Sequence, residues 1–212
     1  MNPKAKVSNT GLLLGSRYQI VRELGRGGFG HTYLAEDANR FNELCVLKEF
    51  IPQVVGEYAL QKAKQLFERE AGVLHQLKHP QIPQFRELLR VQTGGKGRLF
   101  LVQDYVEGPT YRELICTRKH YGGSFSEAEA LQLLEQLLPV LDYIHNLGVI
   151  HRDISPDNLI RRDIDGLPVL IDFGGVKQLA VTVGQRLGAA GAEVGMAESG
   201  DDLTRLGKVE IG

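Results

Sequence analysis

Tryptophan is absent from this 212-residue sequence, and only two cysteines occur, Cys45 and Cys116. Neither their number nor their spacing makes a disulfide scaffold or a zinc site, so a reducing cytoplasm is the compartment that fits. An excess of either charge is lacking too. Twenty-five Lys and Arg stand against 26 Asp and Glu, a net charge of −1. There is no global basic field to hold nucleic acid and no strong acidic bias. Long hydrophobic runs are missing: no stretch approaches the roughly 18 apolar residues of a membrane helix. The polar start, Met1 to Gly11, leads only to Leu12-Leu13-Leu14, too short for a signal-peptide core. What is present is an ordinary soluble composition, 42% apolar and 24% charged, long enough for one or two domains with a sizeable core.

The pattern along the chain changes character three times. Residues 1–17 read as a lead-in. From Tyr18 the spacing is that of strands: Tyr18–Gly25 and His31–Asp37 as an antiparallel pair about a glycine cluster, then Leu44–Phe50, ended by Pro52. Residues 59–78 switch to helical spacing, with Ala63, Phe67, Ala71 and Leu74 on one stripe, and His79-Pro80 closes that helix. Two strands follow, near Phe85–Val91 and Arg98–Tyr105. Glu107-Gly108-Pro109 marks a crossing between two lobes. Beyond it Ser126, with Glu129 completing a capping box, starts a long helix. Its expected buried stripe is Leu134, Leu138, Leu141 and Ile144, with a local kink at Pro139. Residues 178–212 contain seven glycines and no aromatic residue or proline, the composition of a mobile loop.

Four groups of residues carry chemistry. Gly25, Gly27 and Gly30 spell G-x-G-x-x-G within Leu24-Gly25-Arg26-Gly27-Gly28-Phe29-Gly30-His31-Thr32. Glycines let a backbone approach phosphate oxygens with its N–H groups. Alone the motif is weak, and a plain hairpin turn would serve most matches. A dinucleotide fold requires a helix after the glycines, whereas a strand follows here. No G-x-x-x-x-G-K-[ST] occurs, which removes a P-loop. Lys48 stands on an otherwise apolar strand; taken alone, it is a strand-edge lysine keeping its amine in water. Glu70, 22 residues on, and Glu68 both lie on the charged helix, on different faces. The run His151-Arg152-Asp153-Ile154-Ser155-Pro156-Asp157-Asn158 precedes Asp172-Phe173-Gly174. Two carboxylates and a carboxamide at that spacing can hold a base and hard cations in one small volume.

Taken together and in this order, these elements resemble the bacterial serine/threonine protein kinases of eukaryotic-like type. The resemblance runs from about Tyr18 to Lys177. It implies an α+β, protein-kinase-like fold: a small lobe at 18–106 with an antiparallel β-sheet and one helix, and an incomplete, mainly helical large lobe at 107–177. It implies ATP and Mg²⁺ as cofactors and a protein hydroxyl as substrate, with no nucleic-acid partner. Lys48 would grip phosphates and Glu70, ranked above Glu68, would pair with it. Asp153 would accept or orient the hydroxyl proton; Asn158 and Asp172 would bind Mg²⁺. The glycine-loop residues 24–32, with Asp104 and Val106 of the hinge, would surround the nucleotide. His151 reads as a packed structural residue, and Arg152 as a partner of a phosphorylated loop. Thr182 and Thr204 are candidate autophosphorylation sites by position.

Departures from the pattern qualify the activity. Ser155 stands where many such kinases carry a lysine, and serine supplies no charge to a γ-phosphate. Gly175 follows Asp172-Phe173-Gly174, and Gln103 is a polar residue before the hinge. No Ala-Pro-Glu triplet follows Phe173, so the chain reads as truncated, with an apolar large-lobe face left for a partner. The reading adopted is an ATP- and Mg²⁺-dependent Ser/Thr kinase, with a catalytically impaired nucleotide-binding or interaction module kept as the alternative for this chain and a small-molecule kinase as a third. Arg152 argues against the third.

Overall fold

The computed structural model describes residues 10–27, 30–93 and 95–179. Gly28, Phe29, Thr182, Thr204 and all but the first two residues of the 178–212 tail lie outside the described residues.

The first half is one antiparallel sheet. Its strands are β1 (Leu13–Leu14), β2 (Tyr18–Gly27), β3 (Gly30–Asp37), β4 (Glu43–Glu49), β5 (Phe85–Thr93) and β6 (Lys96–Asp104), in the order β1-β2-β3-β4-β6-β5. Period-2 alternation sends Tyr18, Ile20, Tyr33, Ala35, Cys45, Leu47, Phe100 and Val102 to one face, where they form a closed cluster. Leu14 of β1 joins that cluster together with Leu89 and Val91 of β5, so the sheet curls until its two edges share a core. Part of the expected lead-in is therefore structural: Leu14, 1% exposed, pairs with Tyr18.

Between β4 and β5 lies α1 (Glu57–Gln76). All four residues of its expected stripe are buried, and Val73 and Glu70 join them. The helix stops before His79-Pro80: the Leu77 N–H still bonds the Val73 and Leu74 carbonyls, but the Leu77 backbone is extended, φ −81° and ψ 128°. Phe67, Ala71 and Leu74 enter a second cluster that includes Leu101, Val140, Leu159, Leu170 and Phe173. That cluster joins the sheet to the helical half through α1.

The second half contains α2 (Tyr111–His120) and α3 (Glu127–Asn146), each opened by a complete capping box, Thr110/Glu113 and Ser126/Glu129. A box of this kind satisfies two otherwise orphaned N–H groups. The α3 stripe is corrected. Leu137, Val140 and Ile144 are buried, Leu133 and Leu141 pack against them, and Leu134 and Leu138 face outward, each more than half exposed. The helix runs on through Pro139. Four short strands follow: β7 (Val149–Ile150), β8 (Leu159–Arg161), β9 (Pro168–Leu170) and β10 (Lys177–Gln178), paired β7 with β10 and β8 with β9. The architecture is α+β in two halves, as expected. At the crossing, Gly108 has φ +143°, and a Cβ there would meet the Arg161 carbonyl oxygen at 2.1 Å. Only glycine allows so close an approach. Among the described residues no helix is long and apolar enough to cross a membrane.

Candidate active site

A cleft of about 380 Å³ lies between the two halves. Its roof is the sheet face opposite the closed cluster. Thr32 and Lys48 are register partners across β3 and β4, and Val46, two residues before Lys48, shares their side. Leu24, Gly25, Arg26 and Gly27 line its outer edge, and Gln103, Asp104 and Val106 its back. The floor is Asn158, Ile160, Ile171 and Asp172.

Lys48 crosses from roof to floor. Its Nζ donates to Glu70 Oε1 at 2.7 Å and to Asp172 Oδ1 at 3.0 Å. Burial works against its charge, but the two carboxylates outweigh it and hold the ammonium well above the usual lysine range. Glu70 is buried on α1, and burial pushes its carboxyl up against the pull of Lys48. Asp172 is different: the Lys48 charge comes first and holds its pKa below the ordinary value, so it stays anionic. Its side chain is 47% exposed, open to a further cation. Glu68 turns away and meets Arg90 at 2.9 Å.

Asp153 sits on the loop between β7 and β8. Asn158 Nδ2 donates to the Asp153 carbonyl and to its Oδ2, both at 2.9 Å. Those bonds turn the Asn158 Oδ1 away from Asp153. The Asn158 carbonyl in turn accepts from the Ile171 N–H, which ties the loop to the strand leading into Asp172. His151 is the packed residue beneath. Its Nε2 lies 3.1 Å from the Ile171 carbonyl, its Nδ1 accepts from the Asp153 N–H, and its ring meets Phe173 edge-on at 4.8 Å. Arg152 and Asp172 both adopt left-handed backbone, φ +68° and +62°. Such geometry in non-glycine residues persists only where surroundings hold it. Here Arg152 Nε donates to the Gly175 carbonyl, and Asp172 Oδ1 accepts from the Gly174 N–H.

Burial lowers the pKa of His151. The unfolded chain therefore takes up a proton first as pH falls below about 6.5. Stability from this group is complete above that value and is lost as pH falls through the folded pKa. We expect unfolding midpoints to fall between pH 7 and 5, and a His151→Phe variant to fall less over the same range. Equal slopes in denaturant titrations would overturn this assignment.

Behind the cleft a chain of charges fixes the hinge. Arg86 Nε donates to Asp104 Oδ1 at 2.6 Å, and its Nη1 lies 3.6 Å from the fully buried Asp37, which Arg17 also grips at 2.6 Å. Asp104 is thus held by its carboxylate on the outer side while its backbone borders the cleft. Not every expected residue gathers here. Gly30 and His31 are not among the cleft-lining residues. His31 alternates to the other face and meets Tyr33 Oη at 3.1 Å. Gly30 has φ +146°, and a Cβ would strike the Glu49 carbonyl oxygen at 2.0 Å. The third glycine of the motif is therefore required by packing against β4.

A model of the protein kinase domain family matches residues 18–188. The chain belongs to that family. It is 42% identical over 163 residues to "Serine/threonine-protein kinase-like protein E" of Synechocystis sp., covering 77% of this chain and 25% of that protein. It is 44% identical to "Serine/threonine-protein kinase B" of the same organism, covering 78% and 28%. "Probable serine/threonine-protein kinase YbdM" of Bacillus subtilis is 36% identical, with 80% and 61% covered. The chain thus spans about a quarter to under a third of the first two relatives.

Some kinase-cleft residues escaped the sequence reading. Val46 was legible through period 2, two positions before Lys48 on β4; Ile160 lies on β8 just after the 3-10 turn Pro156–Asn158, where no such alternation leads back to Asn158. Thr110 and Glu113 line the cleft as well as capping α2, and their T-x-x-E spacing was the available signal. The donors facing the floor suit a hard divalent cation: the half-exposed, anionic Asp172 and a carboxamide oxygen on Asn158.

Proposed function

We propose that this chain is a protein-kinase module that binds Mg²⁺–ATP in the cleft but is impaired in phosphoryl transfer on its own. The whole protein would transfer the γ-phosphoryl group to Ser or Thr hydroxyls of a protein substrate, a reaction of class EC 2.7.11.1. The binding half rests on one observation: a charged Lys48 held between Glu70 and Asp172 inside the cleft. Its ammonium is the cation for phosphate oxygens, and Glu70 fixes where it stands. Asp172 and Asn158 would hold Mg²⁺, which when bound neutralises charge on the phosphates. Ile160, Ile171 and Val46 offer apolar surface to a base.

The impaired half rests on α3. Leu131, Leu134 and Leu138 are each more than half exposed. An apolar groove of about 460 Å³ runs between α2, α3 and the segment Ile154, Ser155 and Pro156, directly after Asp153. Uncovered apolar surface of this kind marks a face made to be covered. A partner or further polypeptide there would support the Asp153 loop. Ser155, in the same segment, supplies no positive charge.

A second reading, that the chain transfers phosphate by itself, is favoured by the intact grouping of Asp153, Asn158, Asp172 and Lys48. The test is titration with Mg²⁺–ATP, followed by assay of labelled γ-phosphate on the chain and on a basic protein. Binding without transfer supports the module. Transfer supports the second reading. Absence of binding overturns both.

A further inference from the structure

A second cavity, of about 340 Å³, lies against the hinge. It shares Pro83, Asp104, Tyr105 and Val106 with the cleft, but its remaining walls are its own. Those walls are the loop from α1 to β5, with Pro80 and Ile82, and the turn between β8 and β9, with Arg162, Asp163 and Ile164. Two bonds hold the segments together. The Asp163 N–H donates to the Glu107 carbonyl at 2.9 Å, and Arg162 Nη1 donates to the Pro80 carbonyl at 2.7 Å. The cavity is therefore built into the fold, as ligand sites mostly are.

Its polar groups offer one sign of charge. Arg162 is turned to Asp165, at 3.0 and 2.6 Å, as well as to Pro80. Arg86 holds Asp104 from the outer side. Burial lowers the pKa of His79, so its ring is neutral at pH 7, and its Nδ1 accepts from the Gln81 N–H. Glu107 and Asp163 remain: both are exposed, and neither side chain has an ion-pair partner among the described residues. Apolar surface continues past this acidic rim. Ile82 and Val169 are buried in the wall, whereas Ile164, in the turn, is 89% exposed. A small amine would fill the cavity and leave Ile164 bare. A polypeptide covers both.

We propose that this cavity is a docking site for a protein segment that presents Lys or Arg next to an aliphatic side chain. The cation stands between Glu107 and Asp163. The aliphatic side chain enters over Ile82 and Val169, and Ile164 closes on it. Complementary charge of this kind steers encounter and fixes register more than it adds affinity, so the aliphatic anchor carries much of the binding. The proposal is independent of the nucleotide reading, because Glu107, Asp163 and Ile164 do not line the cleft.

The test is fluorescence anisotropy of a short labelled peptide of arginine and leucine, with a glutamate–leucine peptide as control. Wild type should bind the basic peptide and not the acidic one. Glu107→Gln with Asp163→Asn should weaken binding about fivefold at low salt, the size of two exposed ion pairs, and the difference should shrink at high salt. Ile164→Ser should weaken it about fivefold at both salts, because apolar contact is lost. The Asp163–Glu107 bond is made by backbone and survives these changes, so both variants should melt with wild type. If one variant fails to fold, the other still decides. Failure of wild type to bind the basic peptide, equal binding of the acidic one, or unchanged affinity in either folded variant overturns the proposal.

Discussion

Lys48→Met is expected to lower stability by about 3–5 kcal/mol, the usual cost of leaving a buried charge without its partner, and to remove measurable Mg²⁺–ATP binding. The two effects have different origins. Glu70 is 2% exposed in its side chain and Lys48 is its ion-pair partner, so the stability loss arises there. Asp172, about half exposed, is screened by solvent and adds little. The binding loss arises because the cleft would then meet an anionic ligand with the Asp172 carboxylate and without its lysine cation, Glu70 lying buried behind them. A second substitution separates the two. In Lys48→Met with Glu70→Gln the buried charge is gone, so most of the stability should return while ATP binding does not. Denaturant unfolding and nucleotide titration of the three proteins check this. Wild-type stability in the single variant would show that Glu70 is not held by Lys48. The sign with pH follows from the raised lysine pKa: the lysine's contribution is complete at neutral pH and is lost as pH rises through the folded value.

The Lys48–Glu70 pairing came from the family resemblance, and the two periodicities agree with the pair that the structure shows. Strand alternation puts Lys48 opposite the closed cluster, and the α1 stripe of Ala63, Phe67, Ala71 and Leu74 passes beside Glu70. Glu68 is two residues back, on the other side of the helix, where Arg90 takes it. Helical spacing failed on α3 for a physical reason. Leu131, Leu133, Leu134, Leu137, Leu138 and Leu141 supply two apolar stripes, and periodicity does not say which one faces the core. The choice is made by the Phe173 and Leu101 cluster, which is distant in sequence. α2 was missed because only Tyr111 of it is buried. Its sole local sign was the Thr110–Glu113 cap. The Arg17–Asp37–Arg86–Asp104 chain joins residues from four separate segments, and no local rule anticipates it. Gly30 was expected beside the nucleotide; the structure instead shows a close backbone contact with β4 that needs a glycine there.

In the whole protein, Asp153→Asn is expected to lower γ-phosphoryl transfer by about 10²–10⁴-fold, the range for loss of a positioned general base, while Mg²⁺–ATP affinity stays within about twofold, well under one ordinary hydrogen bond. The argument is geometric. Asp153 does not line the cleft; it stands beside Asn158, one of the floor residues that would meet the nucleotide. An asparagine has the same shape, and its Oδ1 can keep the bond from Asn158 Nδ2. The loop is pinned by its backbone, through the Asp153 carbonyl to Asn158 and the Asp153 N–H to His151, and those bonds do not depend on the side chain. No buried partner charge is stranded, in contrast to Lys48→Met. What disappears is the carboxylate that would accept or orient a hydroxyl proton. A transfer defect with intact affinity and an unchanged melting point therefore isolates that role. Transfer at the wild-type rate would exclude Asp153 as the base. A parallel loss of ATP binding would make it a residue that holds Asn158, and through Asn158 the cleft floor, in place.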